Sequence, residues 1–414
     1  MRACKVLRNS AIATGFVVAL LMSIAGAALA APPAPLNELT HVQSQLESLE
    51  GTGDEKANAA IRSAAMELGS ATRPSLWIDP NDAVPPEDGI RVYSASSLAM
   101  SELLRIRTDK TISQEALTTA RNEILEAQLD LAENAQKQVG GPTATGSPLK
   151  KWKAAYLELG RQITKAATSV PQATVEQASS NYLAHIEEDE LFATPQPISG
   201  TPLTLEGKPE LFYYGAEGCP FCGIERWSQM VALALFGKFS SVGVTVSSTY
   251  DIDPATRTLS YYKSKYSSPY VAFVPVEGFT NQPGGSLKCG EETFPFWTTL
   301  QTPTAAQQEI INQYDSVEGC LAGLPFMDVA NKWSMLGSSG NPEKLSGMSW
   351  QQIAGALFDP NSVAGQSLDG GAEIIVAEIC EVDGGQPARV CNSGVVKLYQ
   401  EEIHRNFGRE PPPH

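Results

Sequence analysis

The sequence predicts an all-α helical bundle followed by an α/β domain, and three observations carry this prediction. Apolar residues recur at helical spacing over 36–192, four prolines interrupt the chain over 194–210, and beyond them an apolar aromatic run leads directly into CPFC at 219–222. A change from a helical period to short apolar runs is typical of a boundary between an all-α and a mixed domain. We therefore expect a helical bundle over 31–193, a proline-rich linker over 194–210 and an α/β domain over 205–408.

Residues 1–30 have the composition of a secretory signal. Three basic residues and no acidic one precede an apolar run from Ala11 to Ala25, and Ala28-Leu29-Ala30 supplies the small residues of a cleavage site. We expect cleavage before Ala31. The alternative is an uncleaved anchor, because the apolar run extended from Ala11 to Ala31 is just long enough to cross a bilayer. In both cases the remainder is extracytoplasmic, either periplasmic or secreted, and it contacts a membrane only if the signal is retained.

Charge and cysteine content narrow the function of the exported part. Without the signal, the chain contains 27 Lys and Arg residues and 46 Asp and Glu residues, which gives a formal net charge of −19 at pH 7. Nucleic acid is therefore excluded as a partner, since binding phosphate requires a basic face. Cys4 lies in the signal, which leaves six of the seven cysteines. An even number of cysteines suits an oxidising compartment.

The segment 31–193 reads as about five amphipathic helices in a bundle, separated by Pro- and Gly-rich loops such as "VGGPTATGSP". It contains no cysteine after the signal, and its two histidines, His41 and His185, have no companion acid or nucleophile. We interpret both histidines as solvated or structural. The predicted buried faces are Leu36, Leu39, Val42, Leu46, Leu49; Ala57, Ile61, Ala64, Leu68; Leu117, Ala120, Ile124, Leu131; Trp152, Tyr156, Leu159, Ile163; and Val175, Ala178, Tyr182, Ile186.

The cysteine pair of the α/β domain falls at a strand-to-helix junction. Glu210 to Gly215 is a short apolar run that suits a buried strand, and helical spacing of apolar residues resumes at Pro220. Proline costs nothing at the first helical position, because its missing N–H has no partner there. The pair therefore lies at the N-terminus of a helix.

That position has a chemical consequence for the two thiols. Free N–H groups and the helix dipole stabilise a nearby thiolate, so we expect Cys219 to be the exposed, acidic nucleophile. Cys222, about one turn further on, is placed to attack a mixed disulfide at Cys219 and resolve it. The neighbouring Glu225 and Arg226 are interpreted as a dipole complement and a solvated cation, outside the catalytic assignment. Trp227 is predicted to be core.

Two other interpretations of the pair stay open. A zinc site would need a second C-x-x-C or a Cys/His pair at ligand spacing, and the chain offers neither. We therefore predict no metal and no cofactor. A purely structural disulfide between Cys219 and Cys222 is the remaining alternative.

The four other cysteines are predicted to form two structural disulfides. Cys380 and Cys391 flank the turn-rich "EVDGGQPARV", which lets the chain double back and bring the sulfurs together. Cys289 and Cys320 are then left as the second pair. Loops of this size stabilise a fold by roughly 3 kcal/mol each when closed by a disulfide.

Four strings over about 205–400, "GAEGCPFCGIERWSQMVALALFGKFS", "YSSPYVAFVPVEG", "GLPFMDVANKW" and "ICEVDGGQPARVC", resemble the thioredoxin-like family of domain of unknown function 929. The resemblance implies a thioredoxin-like fold with Cys219 and Cys222 at the active-site positions. It also implies a cis-proline beside the pair that holds substrate backbone, a role that suits Pro325 with its neighbour Leu324. Pro269 is the rival candidate. About a hundred residues between Cys222 and Pro325 exceed a minimal fold of this kind, and we expect either a substrate-facing lobe or extra structure on the sheet.

Taken together, the sequence favours an exported thiol–disulfide oxidoreductase in which Cys219 attacks and Cys222 resolves. Its partners would be protein or small-thiol substrates and a redox partner that the sequence does not identify. A different class is also open: a non-catalytic envelope or secreted interaction protein whose CPFC disulfide stays closed. A reduction potential separates the two, because structural disulfides of secreted proteins lie below about −300 mV.

Overall fold

The computed structural model describes residues 34–72, 86–139, 148–185, 193–248, 251–253, 256–289, 291–317 and 320–405. The predicted signal at 1–30 lies outside the described residues. The chain divides into two compact units, one ending at Leu159 and one running from Gly160. The described part contains no helix that is long and apolar enough to cross a membrane.

The N-terminal unit is helical, and most of the predicted apolar positions lie in its core. Leu49 is only partly buried, and the side chains of Trp152 and Tyr156, together with Ile186, lie outside the described residues. Leu39, Val42 and Leu46 are fully buried, as are Ile61 and the other predicted positions of the second and fourth helices. Helix α1 packs on α2 and α4, and α3 packs on α2 and α4. The helices of this region are α1 (Ala34–Leu49), α2 (Glu55–Thr72), α3 (Pro86–Arg105), α4 (Gln114–Val139) and α5 (Pro148–Ala167), which continues into the second unit.

Helix α3 is absent from the sequence prediction. Its buried face consists largely of small residues, with Val92, Ser96, Ala99 and Leu103 at helical spacing, and serine weakens an apolar periodicity. In the structure the buried Ser96 hydroxyl accepts a hydrogen bond from Gln128 of α4. A hydrogen-bonded polar pair therefore occupies positions inside the bundle at which apolar residues would have revealed the helical period.

The boundary between the two units falls earlier than the predicted one at 193. Helix α6 (Gln172–Ala184) belongs to the C-terminal unit, where Tyr182 and Ser179 bond to backbone carbonyls of Ser339 and Asp369. The predicted linker is also partly structured, because β1 (Gln196–Pro197) and β2 (Thr204–Leu205) pair with later strands. Proline is tolerated there because both strands are short and peripheral.

The C-terminal unit is built on a mixed sheet of seven strands in the order β1-β11-β10-β3-β6-β7, with β2 on the other part of β3. Strand β3 is parallel to β6 and antiparallel to β10. The strands are β3 (Lys208–Ala216), β6 (Ala272–Cys289), β7 (Glu292–Thr299), β10 (Phe326–Val329) and β11 (Trp333–Leu336), and separate pairs are formed by β4 (Lys238–Val246) with β5 (Arg257–Ser267) and by β8 (Ser316–Val317) with β9 (Cys320–Leu321).

Helices cover both faces of this sheet. Alternate residues of β3, Phe212 and Tyr214 among them, pack with Ile311 of α8 on one face, whereas Tyr213 points to the other face beside Tyr261. Helix α7 lies on that second face, between β5 and α10. The helices of this unit after α6 are α7 (Pro220–Phe236), α8 (Ala305–Tyr314), α9 (Trp350–Ala356), α10 (Val363–Val382), α11 (Ala388–Cys391) and α12 (Gly394–His404), with a 3₁₀ turn at Pro342–Leu345.

Buried carboxyl groups lie where α10 meets α6 and α12. Asp369 and Glu373 are almost completely buried, and both carboxyl oxygens of Asp369 have no hydrogen-bond partner. Burial raises the pKa of each to about 8; Glu373 adds to the shift of Asp369, and Glu176 of α6 to that of Glu373. Tyr399 of α12 also faces this group. These carboxyl groups are therefore held in the protonated form at neutral pH.

The unfolding free energy should fall as the pH rises from about 5 to about 8. In this window the folded protein keeps protons on Asp369 and Glu373 that the unfolded chain has lost, so deprotonation favours unfolding. Glu373→Gln should flatten this slope, and thermal unfolding at a series of pH values measures it. Glu309→Gln, at an exposed position on α8, is the matched control and should leave the slope unchanged. An equal slope in Glu373→Gln and wild type would contradict the assignment.

Candidate functional site

The cysteine pair lies where the central strand β3 passes into α7, as the sequence predicts. Cys219 is the N-cap residue of α7 with an extended backbone (φ −83°, ψ 124°), and Pro220 occupies the first helical turn. The Cys219 sulfur accepts a hydrogen bond from the Cys222 N–H at 3.3 Å. A cysteine thus takes the capping position that serine or aspartate usually fills.

Both cysteines are free thiols, and both are buried. Cys219 is 6% exposed and Cys222 is fully buried, with its sulfur accepting from the Ala216 N–H at 3.5 Å. The expectation of an exposed Cys219 is therefore wrong, because apolar side chains close over the junction. The two cysteines therefore differ little in solvent exposure, contrary to the predicted contrast between an exposed Cys219 and a shielded Cys222.

Pro325 and Leu324 lie beside the pair although they follow it by about a hundred residues. The Leu324–Pro325 peptide bond is cis, and the Cys219 thiol donates to the Leu324 carbonyl oxygen at 3.6 Å. The position follows from sheet pairing, because Phe326 opposes Tyr214 on β3. Among the described residues the other cis bond precedes Pro387, not the rival Pro269. That Leu324 and Pro325 bind substrate stays a prediction.

The pKa of Cys219 is the second departure from the sequence expectation. Burial raises the pKa of this thiol well above its ordinary value, and the neighbouring Cys222 thiol and the Asp251 carboxyl add to the shift. The Cys222 N–H acts in the opposite direction, but it does not outweigh the loss of water. The helix N-terminus therefore does not produce an acidic Cys219 in this closed arrangement.

A buried ion pair lies next to the junction between β3 and α7. Arg226 and Glu277 are both fully buried, with the guanidinium forming a fork on the carboxylate at 2.6 and 2.8 Å. The same guanidinium donates to the Ala216 carbonyl oxygen at 2.6 Å, and the Glu277 carboxylate accepts from the Tyr261 N–H at 3.0 Å. The interpretation of Arg226 as a solvated cation is therefore wrong. Its contact with Ala216 fixes the end of β3, three residues before Cys219.

Glu225 also differs from the sequence interpretation, because it is fully buried rather than placed at the surface near the helix start. Its carboxylate accepts from the Ser339 N–H and hydroxyl, both at 2.9 Å. Burial raises the pKa of Glu225 to about 7. Trp227 is core, as predicted, and its indole N–H donates to the Arg257 carbonyl oxygen.

Asp315 is the acid that sequence reasoning missed. It is fully buried just after α8, where one carboxyl oxygen accepts from the Gly323 N–H at 2.9 Å and the other has no partner. Burial raises the pKa of Asp315 well above its ordinary value, and Cys222 contributes to the shift. An isolated Asp after a helix carries no local signal, because its proximity to Cys222 arises only from the fold.

The remaining cysteines agree with the predicted framework where they are described. Cys380 and Cys391 form a disulfide with their Cα atoms 5.4 Å apart, which ties the end of α10 to α11. Cys289 is disulfide-bonded, and the side chain of its predicted partner Cys320 lies outside the described residues. Disulfides of this kind are consistent with an extracytoplasmic location. No group of three potential metal ligands occurs in the described ranges.

One family model matches the chain. It covers residues 194–381, and its description is "Domain of unknown function (DUF929)". Neither the curated proteins nor the solved structures contain a match.

Glu277→Gln should lower the unfolding free energy by about 3–5 kcal/mol, because it leaves the Arg226 guanidinium buried without its counter-ion. Urea unfolding measures the loss. The control is Glu402→Gln, which breaks the exposed pair with Arg405 and should cost about 1 kcal/mol or less. Equal losses in the two variants would show that the buried pair does not hold the junction.

The alkylation rate of Cys219 should still be rising with pH beyond the ~8.5 at which an unperturbed thiol is half ionised. The Cys222→Ser variant isolates Cys219, and N-acetylcysteine in the same reaction gives the reference curve. Burial, the largest cause of the shift, persists in this variant. A plateau below the reference would restore the acidic thiol of the sequence prediction.

Proposed function

We propose from the site itself that the protein is a thiol–disulfide oxidoreductase working through the CPFC dithiol, since the name of the matching family model, Domain of unknown function (DUF929), assigns no reaction. One observation carries the proposal. A free dithiol lies at the N-terminus of α7 with the Cys219 sulfur 3.6 Å from the carbonyl oxygen that precedes cis-Pro325. Two thiols three residues apart, one of them bonded to a backbone carbonyl oxygen, form a pair that can exchange with a polypeptide disulfide.

The arrangement of elements supports a thioredoxin-like fold, which we propose for this domain. Strand β3, helix α7 and the neighbouring parallel strand β6 form a βαβ unit with the C-x-x-C at the first strand-to-helix turn. This combination of motif and context is typical of thioredoxin-like redox sites. The hairpin β10–β11 on the opposite side of β3 then brings Pro325 to the cysteines, which is the position that the resemblance implies.

The proposed reaction is a two-step exchange. The Cys219 thiolate attacks one sulfur of a substrate disulfide, and the other substrate sulfur leaves as a thiolate that takes up a proton. Cys222 then loses its proton and attacks the Cys219 sulfur, so that the substrate leaves as a dithiol and the enzyme carries the 219–222 disulfide. Two electrons pass to the substrate, and a thiol redox partner returns the enzyme to the reduced state.

Asp315 is our candidate for the group that exchanges a proton with Cys222. The two groups interact electrostatically inside the core, and one carboxyl oxygen of Asp315 is buried without a partner. Its raised pKa makes the deprotonated form of Asp315 a stronger base than an ordinary carboxylate, so Asp315 takes the Cys222 proton during resolution and returns it when the enzyme is reduced again. Asp315 therefore supplies the resolving step with an acid–base group that is fully buried.

The surroundings of Cys219 favour electron transfer from the enzyme to the substrate, so that substrate disulfides are reduced. Strong oxidants of this chemistry are strong because their reduced form is stabilised. Here burial and the Asp251 carboxyl act against the Cys219 thiolate. A dithiol with an unstabilised thiolate gives up electrons more readily, so the couple should be closer to a reductant.

The alternative is a non-catalytic interaction protein in which Cys219 and Cys222 form a permanent structural disulfide. The burial of both sulfurs is the observation that favours it, since structural cysteines are shielded. The position of the C-x-x-C at the strand-to-helix turn favours exchange. The two functions predict different behaviour of the couple toward reductants.

Cys222→Ser should trap mixed disulfides with an oxidised, unfolded protein, because attack at Cys219 proceeds and resolution does not. Non-reducing gels and mass spectrometry detect the trapped species, and Cys219→Ser is the matched control that should trap far less. The wild-type 219–222 couple should equilibrate with dithiothreitol buffers without unfolding of the protein. Equal trapping by both variants, or a couple that opens only on unfolding, would support the structural alternative.

A further inference from the structure

The β6–β7 hairpin extends past the sheet and reaches the cysteine pair. Strand β6 pairs with β3 only up to Phe279, and its remaining ten residues to Cys289 pair with β7 alone. Two irregularities in the β6–β7 register after Phe279 redirect the strands, as bulges do. We name residues 280–289 and 291–299 the arm. The arm also contacts β9, in the segment that leads to Leu324.

Trp297 of the arm lies directly on the residue before Cys219. A methyl group added to Gly218 would come within 2.5 Å of the Trp297 indole, so the absence of a side chain at Gly218 makes room for the ring. The indole packs on Phe296 at 4.6 Å, and Phe296 meets Phe279 edge to face at 4.8 Å. Trp297 is therefore linked by aromatic contacts through Phe296 to Phe279, which pairs with β3 in the sheet. The Trp297 side chain remains only partly buried.

Other partly exposed apolar side chains lie against the core cluster that contains both cysteines, and we name six of them the rim. An incompletely buried apolar rim beside a reactive atom is the usual composition of a ligand site. The members are Phe221, Leu287, Phe296, Trp297, Leu321 and Leu324.

Two acidic side chains lie near Cys219. Asp251 is close enough to Cys219 to raise its pKa, and Glu217, two residues before it, is mostly buried with its carboxylate on the Ser260 hydroxyl at 2.5 Å. The whole chain carries a formal net charge of −16. An anionic small thiol such as glutathione is therefore electrostatically disfavoured.

We propose that the arm is the substrate-recognition element of the site and that Trp297 selects polypeptides carrying an aromatic or aliphatic side chain next to the reacting cysteine. This inference rests on the proposed exchange function. The apolar neighbour of the substrate cysteine takes a place between the indole of Trp297 and the side of Leu324, while the Leu324 carbonyl aligns the substrate backbone. Trp297 is a specificity residue in this scheme and takes no part in electron or proton transfer.

The test compares two model peptides, each with one cysteine in a mixed disulfide with 2-nitro-5-thiobenzoate and with either Phe or Asp on both sides of that cysteine. Reduced wild-type protein should react at least about tenfold faster with the Phe peptide, as expected from burying one apolar side chain, and should react poorly with oxidised glutathione. Trp297→Ala should lose most of this preference, and Trp297→Phe should keep most of it. Tyr262→Ala, which truncates a partly exposed aromatic residue of β5, should keep the wild-type ratio.

A binding measurement separates failure of the inference from failure of the proposed function. The Cys219→Ser, Cys222→Ser double variant cannot exchange disulfides, and it should still bind a Phe-flanked peptide more tightly than an Asp-flanked one in a calorimetric titration. Exchange with equal rates for both peptides, or a Trp297→Ala variant with the wild-type ratio and an unchanged melting temperature, overturns the inference and leaves the function. Selective binding without exchange overturns the function and leaves the arm as a recognition site.

Discussion

The fork between Arg226 and Glu277 is the interaction on which the rest of the site depends. It joins α7 to β6, and through the Ala216 carbonyl and the Tyr261 N–H it also reaches the end of β3 and the middle of β5. A charge pair without solvent is tolerated only when nearly all of its polar atoms are bonded, and one guanidinium nitrogen here is the exception. The pair therefore fixes the geometry of the junction rather than adding much net stability.

Burial of α7 sets the chemistry of the dithiol. Fifteen of its seventeen residues are buried, so the helix carries its charged side chains, Glu225 and Arg226, into the interior. The same enclosure removes water from Cys219 and Asp315 and shifts the pKa of each upward. The electrostatic help that a helix N-terminus offers a thiolate is modest, about 0.3–1 kcal/mol at exposed sites, and desolvation exceeds it.

Local pattern predicted the elements that carry their own signal. The strand over 210–215, the helix from Pro220 and the loop closed by Cys380 and Cys391 are all found where the sequence indicated. The periodic faces of the first helices are buried as expected. Failures occur where polar residues interrupt a pattern, as in α3, or where a helix packs in another unit, as α6 does, because periodicity reports a buried face and not its partner.

The sequence by itself determined which atoms can perform the proposed chemistry: two thiols three residues apart, at the start of a helix after a buried strand. Only the tertiary structure decided their surroundings. The family resemblance had placed Leu324 beside the pair, but Asp315 and Trp297 reach the cysteines only through the fold, over separations at which no sequence period exists. The physical reason is that a pKa depends on water and charge within a few ångströms, and the chain brings those neighbours together only when it folds.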